Sequence, residues 1–462
     1  MKPTILAIAA FSLFGAWLLS FAYEGQIFYS LAASYVFDPG TMMLTAILLH
    51  AAGLFSCGFI ARSERGAKRV MLLSAAVCAA LSIVFFFPPS GLWTVALPVA
   101  TFFAGWWNAA WGWFYKNATP PNGRMTTVAA SIVFSTTTMV VLNMLGIHLS
   151  PFLGLAFAVV CLGASLAVTA RLPVYASAAP QASAEHAHAK QFSPSIAPPM
   201  ILLCLFIVII TINAGLMFQV VNPAFAHLTW LTSWYWAIPY IVAIAVFAVI
   251  PRKINRVYIL FAAIAMMGFS FIAFFLLDRS EGSYLVVNSL LLSACGLNDL
   301  FWWTILGELL EFHKNPARIL GLGLSINVGG VLLGELISGL LPATDGGSMP
   351  ALVGLAVVFV ALVILPPLYQ RLTMFLKTSA FFSWQHQLQP EEQQRTVETL
   401  AKAYGLTGRE QGVAALLLRG YTYRMIAQEL YLSESTVRTH IQNIYFKLDV
   451  RNKTELIQKL AK

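Results

Sequence analysis

Charge is what this sequence has least of. Asp, Glu, Lys and Arg make up 10% of its 462 residues, where soluble domains carry about 25%, so an ordinary water-exposed surface is excluded. Cysteine is also sparse: Cys57, Cys78, Cys161, Cys204 and Cys295 all fall inside apolar stretches, with no CxxC or Cys/His spacing among them. That pattern argues against a disulfide framework and against a zinc site. Nor does the chain carry a nucleophile triad, a phosphate-cradling glycine loop, a paired-carboxylate site, or a receiver or kinase segment. The expectation is a protein that is not an enzyme, holds no cofactor or metal, and takes its input from something other than phosphorylation. What is abundant is apolar. Hydrophobic residues make up 59% of the chain and the mean hydropathy is +0.76, the composition of a polytopic membrane protein.

A helix crossing about 30 Å of hydrocarbon at about 1.5 Å per residue needs about 20 apolar residues. Twelve stretches qualify: 5 to 22, 41 to 61, 70 to 87, 92 to 115, 126 to 146, 152 to 170, 199 to 222, 231 to 250, 257 to 277, 284 to 310, 319 to 341 and 350 to 369. The first lacks a small-residue cleavage site ahead of Glu24 and exceeds the apolar core of a signal peptide, so it reads as a span. Basic residues resist translocation, and here they fall almost wholly on one side. That side receives Lys2, Arg62, Arg65, Lys68, Arg69, Lys116, Arg124, Arg171, Lys190, Arg252, Lys253, Arg256, Lys314 and Arg318; the other receives Arg279. The N-terminus, and everything after about Gln370, is therefore expected in the cytoplasm.

The Ala-, Ser- and Pro-rich stretch 172 to 198 reads as a flexible cytoplasmic linker between a first six-helix half, 1 to 171, and a second, 199 to 369. Its His186-Ala-His188 pair lacks a third ligand and is assigned no role. The halves echo each other. Phe114-Tyr115-Lys116-Asn117, followed by Pro120, Pro121 and Arg124, ends the fourth span; Phe312-His313-Lys314-Asn315, followed by Pro316 and Arg318, ends the tenth. Corresponding positions in two six-helix halves are the mark of a parallel internal repeat. With Gly58, Arg62, Glu64, Arg65, Gly66, Lys68 and Arg69 between the second and third spans, residues 1 to 370 resemble the major facilitator superfamily of transporters. Arg62 stands where that family usually has Asp, and Gly66 is spaced one residue longer.

The last quarter has a soluble composition, with 11 Lys and Arg against 8 Asp and Glu in residues 390 to 462. Thr407 and Glu410 have capping-box spacing ahead of Val413, Ala414, Leu416 and Leu417, and Gly420 closes that helix. A short helix follows from about Tyr423 to Leu430. Ser433 then caps a third helix reaching about Leu448, in which Val437, Ile441, Ile444 and Leu448 form one buried stripe. Its opposite face presents Ser435, Thr436, Arg438, Thr439, Gln442 and Lys447, groups that suit phosphates and base edges in a major groove. Two helices across a short turn make a helix-turn-helix.

Residues 406 to 457 resemble the LuxR-type DNA-binding domain. The match runs through Leu406-Thr407-x-Arg409-Glu410, Gly420, Ile426-Ala427, Leu430, Ser433-x-x-Thr436-Val437-Arg438-Thr439-His440, Ile444, Lys447-Leu448 and Val450. That resemblance implies base contacts from Arg438, Thr439 and Gln442, phosphate contacts from Thr436 and Lys447, and dimerisation through the last helix, about Lys453 to Leu460. Asp449 replaces the usual Gly, Lys453 a common Arg, and Gly412 a helix former.

Residues 370 to 404 form a connector. Phe375, Phe381, Phe382, Trp384 and Lys377 suggest a segment at the membrane interface, and Pro390-Glu391-Glu392 starts a helix that could pack on the DNA-binding domain, 405 to 462. Within the spans, polar residues are costly and are functional candidates. Asp299 lies on one helix face with Trp302 and Trp303, an arrangement suited to a cationic or polar aromatic ligand. The transporter resemblance would place Asn108, Asn213, Asn298 and Asp299 at a central cavity. Tryptophans such as Trp106, Trp107, Trp111 and Trp113 can instead form an interfacial belt, and intramembrane Asn can join helices. Glu308 and Glu311 are expected to pair with Lys314 and Arg318, and Glu335 follows a close-packing Gly330-x-x-x-Gly334.

The expected protein is all-α: about twelve spans in a 6+6 pseudo-repeat, with a cytoplasmic four-helix helix-turn-helix domain. It would be a regulator in the bacterial inner membrane, with double-stranded DNA, an unknown small molecule, the lipid bilayer and a second copy of itself as partners. The alternative is a secondary transporter with an appended autoregulatory DNA-binding domain.

Overall fold

The structure is a computed structural model. It describes residues 2–23, 25–175, 196–249, 256–341, 348–387, 390–419, 421–451 and 453–460, and no strand occurs among them. A helix satisfies its peptide groups within its own segment, which is why helices can enter hydrocarbon. In chain order the main helices are α1 Pro3–Trp17, α2 Gln26–Ser34, α3 Gly40–Ile60, α4 Glu64–Ser82, α5 Gly91–Ala110, α6 Gly112–Asn117, α7 Arg124–His148, α8 Pro151–Ala170 and α9 Ala197–Leu216. Then come α10 Ala237–Val249, α11 Arg256–Leu276, α12 Glu281–Leu309, α13 Pro316–Leu340, α14 Ser348–Gln387, α15 Pro390–Tyr404, α16 Gly408–Leu418, α17 Tyr423–Glu429, α18 Glu434–Lys447 and α19 Lys453–Leu460.

Eleven helical segments among the described residues are long and apolar enough to cross a membrane. The remaining expected span coincides with α5 and α6, which join at Trp111. Its tryptophans, Pro98 and Asn108 interrupt its apolar run. Two spans run further than the sequence suggested. α1 widens into a π turn, Leu18–Ala22, and a second helix, α2, follows; the expectation stopped at 22 because Glu24 interrupts the apolar run. The last span continues unbroken through Gln387, so residues 371 to 384 extend the helix and are not a separate segment.

The chain divides into two compact units, Met1–Tyr175 with Leu202–Leu365, and Ala176–Ile201 with Pro366–Lys462. In the first unit the two halves repeat a distinctive detail. A π turn, Met217–Val221, follows α9 just as Leu18–Ala22 follows α1. The echo segments meet as well, Lys116 Nζ donating to the His313 carbonyl at 3.3 Å, and Asn315 Nδ2 donates to the Gly58 carbonyl of α3 at 2.7 Å.

Arg124, expected as a loop cation, is 1% exposed. Its guanidinium donates to the Gly307 carbonyl and to the Glu311 carboxylate. Glu311 therefore pairs across the halves with Arg124, instead of with its sequence neighbours Lys314 and Arg318. The planar fork of arginine can address a carbonyl and a carboxylate at once.

Inside lipid no hydrophobic force draws helices together, so they associate where small residues allow backbones to approach. The Gly330-x-x-x-Gly334 spacing does this against α9: a Cβ on Gly334 would lie 2.2 Å from the Ile212 carbonyl oxygen and 3.0 Å from Gly215 Cα. Gly53 and Gly105 bring α3 and α5 together in the same way, a Cβ on Gly53 falling 2.1 Å from the Phe102 carbonyl oxygen.

The second unit closes its own core. Val397 and Leu400 of α15 join Val413, Ala414, Leu416 and Leu417 of α16, Ile426 of α17, Val437, Ile441 and Ile444 of α18, and Leu456 of α19.

Gly334→Val should destabilise the bundle by about 1–3 kcal/mol through overpacking. Gly339, which has nothing within 4 Å of an added Cβ, provides the control. In thermal unfolding of the detergent-solubilised protein, Gly334→Val should lower the midpoint and Gly339→Val should leave it in place; equal midpoints would refute the contact.

Candidate functional site

α18 is placed by its own cap and by those of its neighbours. Thr407 and Glu410 form a full capping box at the start of α16, Thr422 accepts the Met425 amide hydrogen at α17, and Ser433 accepts the Thr436 amide hydrogen at α18. These fix where each helix begins, and the turn Leu430–Leu432 sets α18 against α17. Gly420 lies outside the described residues. Val437, Ile441, Ile444 and Leu448 are all at most 2% exposed, which leaves Ser435, Thr436, Arg438, Thr439 and Gln442 on the solvent side.

These exposed groups are not equally free. Ser435 and Thr436 hydroxyls each lie 2.7 Å from Ser433 Oγ, and Thr439 Oγ1 donates to the Ser435 carbonyl at 3.2 Å. The Arg438 guanidinium sits 5.9 Å from the Tyr423 ring centroid, within reach of a cation–π attraction.

Lys447, expected as a cation facing phosphate, is engaged inside the module. Its ammonium donates to Glu410 Oε2 at 2.6 Å and to the Gly405 carbonyl at 3.0 Å. Glu410 Oε2 also accepts the Thr407 amide hydrogen at 2.8 Å. One buried carboxylate therefore caps α16 and anchors the end of α18. Burial pushes Glu410 up, but the Lys447 ammonium and the Thr407 donors overcome it and hold the carboxyl below its ordinary value. Burial also lowers the Lys453 ammonium to about 8.

Asp449 has φ +49°. That conformation explains why glycine is usual at this position, and Asp is among the few other residues that tolerate it.

In the bundle, a cavity of about 190 Å³ is lined by residues of both halves, among them Tyr23, His50, Asn108, Tyr240, Trp303 and Asn327. An apolar cavity of about 150 Å³ is enough for benzene, so a single-ring molecule would fit. Among the described residues no Asp, Glu, Lys or Arg lines it. Two of the expected residues, Asn108 and Trp303, are in the lining. Asp299 is not: its oxygens accept hydrogen bonds from Tyr240 Oη at 2.9 Å and Trp302 Nε1 at 3.0 Å. The carboxylate expected to meet a cation therefore orients Tyr240, and Trp302 is its second donor. Asn298 donates to the Ala294 carbonyl at 2.9 Å, and Asn213 is fully buried, with no hydrogen-bond partner for either amide atom among the described residues.

Sequence reasoning did not single out the polar lining residues Tyr23, His50, Ser135, Thr136, Tyr240 and Asn327. A signal for His50 was available, since it is an ionisable residue inside the second span. Its Nδ1 lies 2.9 Å from the Thr101 carbonyl oxygen and its ring centroid 5.2 Å from that of Tyr23. Trp107 and Trp111 are fully buried, Trp107 stacked on Phe14 at 4.0 Å and Trp111 on Tyr115 at 4.8 Å. They are core residues, not an interfacial belt.

Residues 405–460 match the family model described as bacterial regulatory proteins, luxR family, and the C-terminal module is a LuxR-type helix-turn-helix. The chain is 38% identical over 68 residues to the transcriptional regulatory protein DegU of Brevibacillus brevis, covering 15% of this chain and 29% of that one. It is 41% identical over 61 residues to the HTH-type transcriptional regulator MalT of Vibrio campbellii, covering 13% and 7%, and 39% identical over 54 residues to the monoamine regulon transcriptional regulator of Klebsiella aerogenes, covering 12% and 24%. The chain thus spans less than a third of the length of each of these regulators.

The fold of the membrane part is that of major facilitator transporters. The human organic anion transporter MFSD10 superposes with a TM-score of 0.61 at 13% identity, over 79% of this chain and 98% of that one. A bacterial homologue of the iron transporter ferroportin, in an outward-facing state, gives 0.58 at 14% identity, over 80% and 98%. The chain is therefore a multi-pass membrane protein that carries a DNA-binding module.

A carboxyl held low in the folded state stabilises above its unfolded pKa, and that stability is lost as pH falls through the folded one. Hydrogen-exchange protection of α16 should therefore be level above about pH 4.5, the ordinary glutamate value, and decline below it. Lys447→Ala should lower protection of α16 at neutral pH by about 1.5–3 kcal/mol, the worth of a hydrogen bond to a charged group. An unchanged exchange profile in Lys447→Ala would contradict the anchor. Asp449→Gly should stabilise the module by about 1 kcal/mol by relieving the left-handed backbone, read as slower exchange in α18; faster exchange would count against it.

Proposed function

We propose that the protein is a membrane-embedded, one-component transcription regulator. The observation that carries this reading is a LuxR-type module with Arg438, Thr439 and Gln442 on an exposed helix face, in one chain with a transporter-like bundle. The bundle sits in a bacterial inner membrane with its N-terminus and DNA module cytoplasmic, as the one-sided distribution of Lys and Arg favours. Arg438, Thr439 and Gln442 meet bases, and Ser435, Thr436 and Lys447 lie toward the backbone. Lys447 would engage phosphate while still held by Glu410. Two copies pair through α19 to meet paired half-sites.

The ligand is a small molecule of about one ring, taken up in the bundle cavity between Trp303 and the Tyr23–His50 pair, with Asn108, Asn327 and Tyr240 supplying hydrogen bonds. Because no acidic or basic side chain other than His50 lines that space among the described residues, an uncharged polar ligand fits better than a cation. Ligand binding would shift the bundle between two arrangements, by no more than the ligand's differential affinity for them. Residues 370 to 404 would pass that shift on.

Likeness to transporters in fold favours a second reading, a secondary transporter whose appended domain adjusts its own expression. Genome-wide DNA occupancy by the full-length, membrane-tethered protein separates the two. A few sharp sites that vanish in Arg438→Ala/Gln442→Ala are expected. Each lost base contact should cost about 1–3 kcal/mol, roughly 5- to 150-fold in affinity. Absence of site-specific occupancy across growth conditions would favour the transporter reading.

A further inference from the structure

α18 carries one large apolar side chain that its own fold does not use. Val437, Ile441, Ile444 and Leu448 belong to the closed core of the module, whereas Phe446 is 88% exposed. Phe446 stands four residues beyond Gln442 and seven beyond Thr439, spacings that put it on the same side of the helix, one and two turns further along. The adjoining Lys447 is turned toward Glu410. The exposed side of α18 therefore ends in an aromatic ring.

We propose that Phe446 is a sequence-reading residue whose ring packs against the 5-methyl group of a thymine in the major groove. The thymine methyl is the apolar group that the major groove displays, and phenylalanine is among the side chains that read it. Four helical residues advance about 6 Å and successive bases about 3.4 Å, so this thymine lies about two base pairs from the base that Gln442 meets. The exposed neighbours Thr439, Gln442 and Asn443 are polar groups suited to base edges. They make Phe446 an isolated apolar point on a nucleic-acid face, not part of the broad apolar patch that a protein partner would need. The proposal rests on α18 being the DNA-reading helix.

The test uses the full-length protein in lipid nanodiscs, a duplex recovered from its genomic occupancy, and replacement of each thymine in turn by deoxyuridine, which removes the methyl group alone. One replacement per half-site should weaken binding about fourfold, the worth of one buried methyl. Phe446→Ala should bind the thymine and deoxyuridine duplexes equally. Since Phe446 is outside the core, the variant should keep the unfolding midpoint of the parent. A parent protein indifferent to every deoxyuridine, or a Phe446→Ala variant that keeps the fourfold difference, overturns the proposal while leaving α18 as the reading helix. Failure of the parent to prefer any duplex over random DNA overturns both.

Discussion

In the hydrocarbon of a bilayer no water is available to satisfy a peptide group or to drive apolar surfaces together, and most of this chain follows from those two facts. The first makes every span a helix. The second means that helix contacts must come from shape and from hydrogen bonds between side chains and neighbouring backbones. Gly334 against Ile212 and Gly53 against Phe102 supply the shape. Thr101 Oγ1 to the Ala46 carbonyl at 2.8 Å, Trp111 Nε1 to the Ala7 carbonyl at 3.0 Å and Ser165 Oγ to the Ala10 carbonyl at 2.8 Å supply the bonds. The same scarcity of solvent explains Arg124. A guanidinium that is 1% exposed needs partners for its charge, and Gly307 and Glu311 of the other half take its Nη1 and Nη2.

Asp299 obeys the same requirement, with consequences for the cavity. Both of its oxygens accept hydrogen bonds from side chains, Tyr240 and Trp302, which ties the carboxylate to those two rings. Tyr240 is in turn part of the cavity lining. Among the described residues such a lining offers neutral donors and acceptors and aromatic faces, which is the basis for proposing an uncharged ligand.

The elements that were legible in the sequence are those set by local rules. Spans follow from apolar length, and the starts of α16 and α18 from Thr407, Glu410 and Ser433, because a cap is specified by residues three apart. The buried stripe of α18 follows from its spacing. What stayed hidden depends on partners distant in sequence. Nothing local says that Lys447 turns toward Glu410, that Arg124 reaches Glu311, or that Tyr240 rather than Asp299 lines the cavity. The resemblance to the LuxR family did flag Asp449, and φ +49° there supplies the physical reason for the family's glycine. The continuation of the last span to Gln387 was missed because polar residues after Gln370 end the apolar run without ending the helix.

α15 bears on how the proposed regulator would pass a signal to its proposed DNA-binding face. A connector that merely tethers would leave the module's fold indifferent to it. Val397 and Leu400 instead lie 5% exposed within the same core as Val413, Ile426 and Ile441, and Lys459 of α19 lies 5.2 Å from the ring centroid of Tyr404 at the end of α15. The helix is thus part of the structure that positions α18, and it reaches α19, the helix through which two copies are proposed to pair. Rotation or fraying of α15 would change the packing beneath α18, because close-packed cores transmit strain instead of absorbing it. In the proposed regulator, a change in the bundle therefore need not create a new contact with DNA. It need only bias α15 between two packings, and the affinity for paired half-sites follows from which packing is populated.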